Sequence, residues 1–172
     1  MQNVSDILLT LAEVAIALVG FAGIATVFAR RLDRVPQALV AVRLRGMVDA
    51  GLLACFAAVL PLIIASYPMS TSASWRLSSL VFAGGWMLVW FNAQARLRRL
   101  SSSGVSWGTV AYRRTIWIVA VAAIAMLLVS ASGVVSKLEA PFYLSVLFAI
   151  MMLAAALFVR VLFILVPTNS TE

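Results

Sequence analysis

The chain has 172 residues, of which 64% are hydrophobic and only 11% are charged, with a formal net charge of +7. A soluble globular domain carries about 45–50% apolar and about 25% charged residues. This composition excludes a soluble domain, a disordered chain and a disulfide scaffold. It predicts an all-α integral membrane protein in which residues 1–172 form a single transmembrane domain.

Two rare residue types narrow the chemistry further. The chain has no His and one Cys, so the usual ligands of zinc, haem and iron–sulfur clusters are missing. Cys55 lies in an apolar run, where a thiol behaves as a small hydrophobic group. We therefore expect no metal, no cofactor and no enzymatic activity, since a nucleophile–base pair is also lacking.

Five stretches are long and apolar enough to cross a bilayer core about 30 Å thick, which takes about 20 helical residues. They cover about residues 7–29, 46–66, 77–95, 115–133 and 142–166. Each must be helical, because lipid offers no partner to an unpaired backbone amide. Pro141 is expected in the first turn of the fifth helix. The sequence thus predicts a bundle of five transmembrane helices.

The basic residues divide unevenly between the two sides of this bundle. Only Arg76 and Lys137 fall on one side, out of thirteen Lys and Arg. The positive-inside rule places the other side in the cytoplasm, so the N-terminus lies outside and the C-terminus inside. The orientation of the chain in the membrane thus accounts for its positive charge. We therefore expect no nucleic-acid partner. The residues on the cytoplasmic side are Arg30, Arg31, Arg34, Arg43, Arg45, Arg96, Arg98, Arg99, Arg113, Arg114 and Arg160.

Ionisable residues inside a span are functional candidates, because a charge at mid-bilayer costs at least about 2.5–3.5 kcal/mol. Glu13 lies six residues into the first span, and Thr10, Ala17 and Gly20 fall on the same helix face. A carboxyl flanked by small residues suggests a face for close helix contact. Two interpretations stay open: a hydrogen-bonded Glu that joins helices, or a relay for protons or cations. Arg76 is a candidate partner for Glu13.

Two further charges lie near the cytoplasmic ends of the spans. Asp49 in the second span and Arg160 in the fifth are at comparable depth, and we predict an interhelical pair between them. Arg45, four residues before Asp49, is the competing partner. Alternatively, Arg160 extends toward the lipid headgroups.

Small residues mark possible helix contacts. Gly46, Ala50 and Ala54 recur every four positions, a spacing that lets helix backbones approach closely. Gly20 and Gly23 offer the same in the first span. Pro61 leaves the Ala57 carbonyl without its usual donor and is expected to kink the second helix.

The run Leu11-Ala12-Glu13, followed by Gly20-Phe21-Ala22-Gly23, is joined downstream by Arg43-Leu44-Arg45 and Leu60-Pro61-Leu62. This pattern resembles the first 65 or so residues of a group of uncharacterised bacterial multi-pass membrane proteins. The resemblance implies a bacterial inner membrane and carries no activity with it.

Two functions remain open from the sequence. The first is a small oligomeric channel or carrier for protons or cations, in which Glu13 is the working carboxyl. The second is a non-transporting accessory or sensory subunit whose basic loops contact anionic lipid or a partner protein. We expect the lipid bilayer as environment, and either further copies of the chain or another membrane protein as partner.

Overall fold

A computed structural model of the chain describes residues 2–29, 37–102 and 110–165. Arg30, Arg31 and Arg34 of the first predicted basic connection lie outside these ranges. The described residues form five α-helices and one short 3-10 turn, which confirms the all-α prediction. They are α1 (Gln2–Ala29), α2 (Gln37–Ala65), α3 (Thr71–Ser102), α4 (Val110–Ser132), the 3-10 turn (Ser136–Leu138) and α5 (Glu139–Leu165).

The helices extend beyond the predicted apolar stretches. Helix α2 begins at Gln37 rather than near residue 46, and α3 exceeds its predicted span at both ends. Polar and basic residues continue these helices because helix formation does not require an apolar side chain. Pro141 lies in the first turn of α5, as predicted.

Four of the five helices are long and apolar enough to cross a membrane. Their candidate segments are Asn3–Ala25, Val40–Ala65, Arg114–Ser132 and Glu139–Val161. Helix α3 is long but less apolar, since serines, a glycine pair, Asn92 and Gln94 interrupt it. Large apolar side chains are exposed on the outer surface of the helices, as expected where lipid and not water is the neighbour. Examples are Ile16, Phe21, Leu88, Phe91, Val121, Phe148 and Phe163.

Helices α2 to α5 pack as a four-helix arrangement, and α1 lies outside it against α2 and α5. In a bilayer such contacts depend on close packing and hydrogen bonds, because lipid is as apolar as a leucine side chain. The core is accordingly built from alanines and a few large rings. Its largest fully buried members include Phe82, Leu127, Tyr143, Leu147 and Ile150.

A close contact between α1 and α2 depends on Gly51, a glycine that the small-residue spacing did not single out. A Cβ at Gly51 would lie 2.6 Å from Val19 Cγ2 and 3.4 Å from the Ala15 carbonyl oxygen of α1. A side chain at residue 51 would therefore require the Val19 side chain to shift.

The two ends of the bundle are named here by their charged residues. At the Glu139 end, the start of α3 contacts the start of α5. At the Arg96 end, the end of α3 contacts the first half of α2.

Candidate functional site

Glu13 lies on the outer surface of α1, well inside the apolar segment Asn3–Ala25. Thr10, Ala17 and Gly20, which share its face, are exposed as well. No described residue forms a hydrogen bond or ion pair with the Glu13 carboxyl. Among the described residues, this face therefore lies on the exposed side of α1.

Gly20 and Gly23 of α1 also lie on its exposed side. A Cβ added at Gly20 or at Gly23 would meet no atom within 4 Å. Both residues thus leave open space beside α1 rather than close contact within the chain. The α1 face comprising Thr10, Glu13, Ala17 and Gly20 is called the Glu13 face below.

Asp49 has a partner that the sequence reasoning did not consider. Arg96 Nη1 of α3 donates to Asp49 Oδ2 over 2.5 Å, and each side chain is 26% exposed. The predicted Asp49–Arg160 pair is thus corrected to Asp49–Arg96. The physical reason is placement: α3 packs directly against α2, whereas Arg160 and the competing Arg45 are exposed on their helices.

A second ion pair lies at the Glu139 end and was also missed. Arg76 Nε donates to Glu139 Oε1 over 2.9 Å, so Arg76 pairs with Glu139 and not with Glu13. The Ser72 hydroxyl lies 2.9 Å from Oε1 and 2.8 Å from Oε2 of the same carboxylate. The Glu139 side chain is only 3% exposed, so its charge is buried with its partners already in place.

Gly133 makes room for this ion pair. Its φ is +72°, a conformation that glycine adopts without the Cβ penalty. A Cβ at this position would lie 2.3 Å from the Arg76 guanidinium carbon. The turn after α4 therefore accommodates Arg76 because residue 133 has no side chain.

Serines extend the hydrogen bonding into the adjoining helices. Ser79 of α3 and Ser130 of α4 share a hydrogen bond of 3.0 Å, and Ser130 also donates to the Glu139 backbone carbonyl over 3.2 Å. Ser78 donates to the Ser74 carbonyl one turn earlier. The Glu139 end is thus a closed polar network between α3, α4 and α5.

Pro61 leaves the Ala57 carbonyl of α2 without a backbone donor, and a side chain of α5 supplies one; the kink expected at Pro61 stays a prediction. Pro61 lies inside α2 and has no N–H for the Ala57 carbonyl. The Tyr143 hydroxyl of α5 donates to that carbonyl over 2.5 Å. Tyr143 is fully buried and packs against the Trp75 and Phe82 rings. A side chain of another helix therefore replaces the missing backbone donor.

The predicted small-residue face of α2 lies inside the bundle. Ala50 is 4% exposed and Ala54 is 1% exposed, both in the main core. A Cβ at Gly46 would lie 3.9 Å from Leu157 Cδ1, which is ordinary contact with α5.

A cavity of about 120 Å³ opens beside the Asp49–Arg96 pair, between α2, α3, α4 and α5. Its walls are mostly apolar, with Trp86, Trp90 and Leu153 among them, and Arg43 and Gln94 add polar groups. The buried Trp86 Nε1 has no hydrogen-bond acceptor among the described residues. The cavity combines an apolar wall with basic side chains.

The sequence did contain signals for the two missed residues. Glu139 stands at the start of an apolar run, two residues before Pro141, which is a favourable place for a carboxylate in the first turn of a helix. Arg96 was counted only as a topology signal. No group of three or more His, Cys, Asp or Glu that could hold a metal ion occurs in the described part of the chain.

Comparison with family models, with curated proteins and with solved structures finds no match to this chain.

Proposed function

We propose that this chain is a membrane subunit that assembles with further copies of itself through the Glu13 face, and that the assembly conducts or carries protons or cations. The observation that carries the proposal is the exposure of Glu13 within the apolar segment Asn3–Ala25 of α1. Facing lipid, an ionised carboxylate near a helix centre costs a few kcal/mol. A neighbouring subunit removes this cost by covering the Glu13 face and hydrating or pairing the carboxyl.

The interior of a single copy supports a path between copies rather than through one. Between the two ion pairs, the core holds apolar side chains such as Phe82, Leu127 and Ile150. The buried polar residues of the described ranges lie toward the Glu139 end: Ser74, Ser78, Ser79, Ser130 and Glu139. Midway through this core, the Tyr143 hydroxyl is bonded to the Ala57 carbonyl and the Trp86 indole N–H is a donor only. Among the described residues no buried carboxyl lies there, whereas Glu13 lies on the outer surface.

The proposal includes five spans, with the N-terminus outside and the C-terminus in the cytoplasm of a bacterial inner membrane. Helix α3 packs between α2 and α4 and buries Phe82 and Trp86 there. Its outward residues Leu80, Leu88 and Phe91 are apolar and exposed, which suits contact with lipid. The distribution of Lys and Arg supports the orientation.

Proton flux into liposomes tests this function. The full-length protein is reconstituted with a trapped pH-sensitive dye, and flux is driven by a potassium diffusion potential. We expect flux above that of empty vesicles, and a loss of about tenfold or more in Glu13→Gln, because an amide does not exchange a proton.

Asp6→Asn is the matched control for this experiment. Asp6 lies on the same helix and, seven residues before Glu13, nearly on the same face. Asp6→Asn removes one carboxylate charge, as Glu13→Gln does, but close to the start of the helix rather than deep in the apolar segment. Flux is therefore expected to stay within about twofold of that of the unmodified protein. Flux no greater than that of empty vesicles, or unchanged flux in Glu13→Gln, would contradict the proposal.

A second candidate is a non-transporting accessory subunit, which the same exposed Glu13 and the exposed arginines at the Arg96 end favour. Arg45, Arg98 and Arg114 are exposed there and suit an anionic lipid surface or an acidic partner. Crosslinking from Ala17→Cys, on the Glu13 face of a Cys55→Ala protein, separates the two. Self-crosslinked dimers support the oligomer, whereas a stoichiometric crosslink to a different membrane protein supports the accessory subunit.

A further inference from the structure

We propose that the cavity at the Arg96 end is a binding site for an anionic phospholipid, with one acyl chain against the tryptophan wall and the phosphate at Arg43 and Arg96. This site is separate from the Glu13 face and does not depend on the proposed transport function. It rests on the shape, the lining and the charge of the cavity.

The apolar part of the cavity suits a hydrocarbon chain. Trp86 and Trp90 form one wall, and Leu153 and Leu157 of α5 lie on another. An apolar cavity of about 150 Å³ is large enough for a benzene-sized group. At about 120 Å³, this cavity holds a segment of an acyl chain and leaves the remainder of the lipid outside.

The charged part of the cavity suits an anionic headgroup. Arg43 and Arg96 outnumber the single acid, Asp49, among the lining residues. The hydrogen bond from Arg96 Nη1 to Asp49 uses one of the five N–H donors of the guanidinium. Asp49 therefore orients Arg96 and leaves its other N–H groups available to a phosphate. Basic pockets between transmembrane helices on the cytoplasmic side are a recurrent mode of binding anionic lipid headgroups.

The cavity wall also contains a donor that the described core does not satisfy. Trp86 is 3% exposed, and its Nε1 has no acceptor among the described residues. Burying a donor without an acceptor is unfavourable. A lipid, which carries ester oxygens as well as hydrocarbon, suits this wall better than a pure hydrocarbon would.

Glycine 46 gives a direct way to fill the cavity. Gly46 lines it, and a Cβ there makes only ordinary contact with Leu157, so a larger side chain extends into the free space. Gly84 of α3 is the matched control, because a Cβ there meets nothing within 4 Å and Gly84 is exposed. Gly46→Leu therefore adds its side-chain atoms inside the cavity, whereas Gly84→Leu adds the same atoms on the outer surface of the bundle.

The test measures binding of radiolabelled phosphatidylglycerol to the full-length protein in a neutral detergent. We expect saturable binding near one lipid per chain, weakened about tenfold in Gly46→Leu and changed less than about twofold in Gly84→Leu. Ala93→Phe fills the same cavity from α3 and replaces Gly46→Leu if that variant does not fold. Arg43→Gln is expected to weaken binding severalfold. Lys137→Gln is the control and should leave binding unchanged, because Lys137 is exposed at the Glu139 end and does not line the cavity.

Phosphatidylcholine and oleate test whether the site selects an anionic phospholipid. Phosphatidylcholine, which has the same chains and a zwitterionic headgroup, is expected to bind about tenfold more weakly. Equal binding of phosphatidylcholine, or full binding by both cavity-filling variants, would overturn the site. Oleate that binds more tightly than phosphatidylglycerol would overturn the assignment to a phospholipid. None of these binding results bears on the proposed proton or cation flux, which the liposome experiment with Glu13→Gln tests separately.

Discussion

The two ion pairs of this molecule join the same helix, α3, to its neighbours, but their surroundings differ. At the Glu139 end, the carboxylate is 3% exposed and accepts hydrogen bonds from both Arg76 and Ser72. At the Arg96 end, both partners are 26% exposed, a single hydrogen bond joins them, and a cavity lies alongside. The Glu139 carboxylate is enclosed by protein although Arg76 is 41% exposed, whereas the Asp49–Arg96 pair borders a cavity.

This difference indicates two roles for the same chemistry. A buried carboxylate with several donors has a fixed geometry, because removing any one donor leaves part of a charge unsatisfied. An ion pair whose side chains are both 26% exposed and whose guanidinium has unused donors can share its partner at little cost. The Glu139 end therefore has the geometry of a stabilising contact, and the Arg96 end is where we propose that a ligand binds.

The largest effect is expected from Arg76→Ala. This change leaves the Glu139 carboxylate buried beside Ser72 without its cation, and breaking a buried pair on one side costs about 3–5 kcal/mol. Because the Arg76 side chain is 41% exposed, we expect a value near the lower bound. Unfolding in mixed micelles of a mild detergent and sodium dodecyl sulfate measures the free energy.

Arg98→Ala is the control for this variant, since Arg98 is exposed on the same helix. Its effect should stay within about 0.5 kcal/mol, as for most exposed surface substitutions. If both variants lost the same small amount, the Glu139 network would not be the stabilising element, and the contrast between the two ends would fail.

A smaller effect is expected from Tyr143→Phe, which sharpens the structural role assigned to the Glu139 half of the bundle. The change removes the donor to the buried Ala57 carbonyl, and an unsatisfied buried acceptor costs about 1–3 kcal/mol. In a Pro61→Ala background, the backbone N–H of residue 61 reaches that carbonyl. The penalty of Tyr143→Phe should therefore shrink to a few tenths of a kcal/mol, since the backbone now supplies the donor.

The double-mutant cycle identifies the cause of the penalty. An equal loss in both backgrounds would mean that the hydroxyl acts through packing against Trp75 and Phe82 rather than through the Ala57 carbonyl. Tyr67→Phe is the control, because Tyr67 is 61% exposed and its loss should not change stability measurably.

The same residues show how far sequence reasoning reaches. The need of the Ala57 carbonyl for a donor follows from Pro61 alone, because proline lacks an N–H wherever it stands. Its donor, Tyr143, is 86 residues away, and only the packing of α5 against α2 brings the two together. The sequence therefore predicts that a backbone carbonyl lacks a donor, whereas the side chain that supplies the donor is determined by tertiary contacts.

The charged residues show the same limit. Lengths and apolar composition predicted the helices, and rarity in the spans drew attention to Glu13 and Asp49. Arg96 enters the sequence analysis only as a topology signal, because counting charges treats an arginine beside a span as a signal rather than as a partner. Glu139 lies between two predicted spans and is not singled out by that count. Since the helices extend past the apolar stretches, such flanking charges lie on helices and can pair across them.

The smallest effect is expected from separating Asp49 and Arg96. A pair that is about a quarter exposed contributes about 1 kcal/mol or less, so the coupling energy from Asp49→Asn and Arg96→Gln should be well below that of Glu139→Gln and Arg76→Gln. Ionic strength discriminates further: going from about 0.01 M to about 1 M shortens the screening length from about 30 Å to about 3 Å. We expect the Asp49–Arg96 coupling to fall more than the Glu139–Arg76 coupling, because solvent ions reach the Asp49 carboxylate, which is 26% exposed, more easily than the Glu139 carboxylate, which is 3% exposed. Equal couplings with equal salt dependence would mean that the two ends are electrostatically alike, and the open pair would then have no special suitability for a ligand.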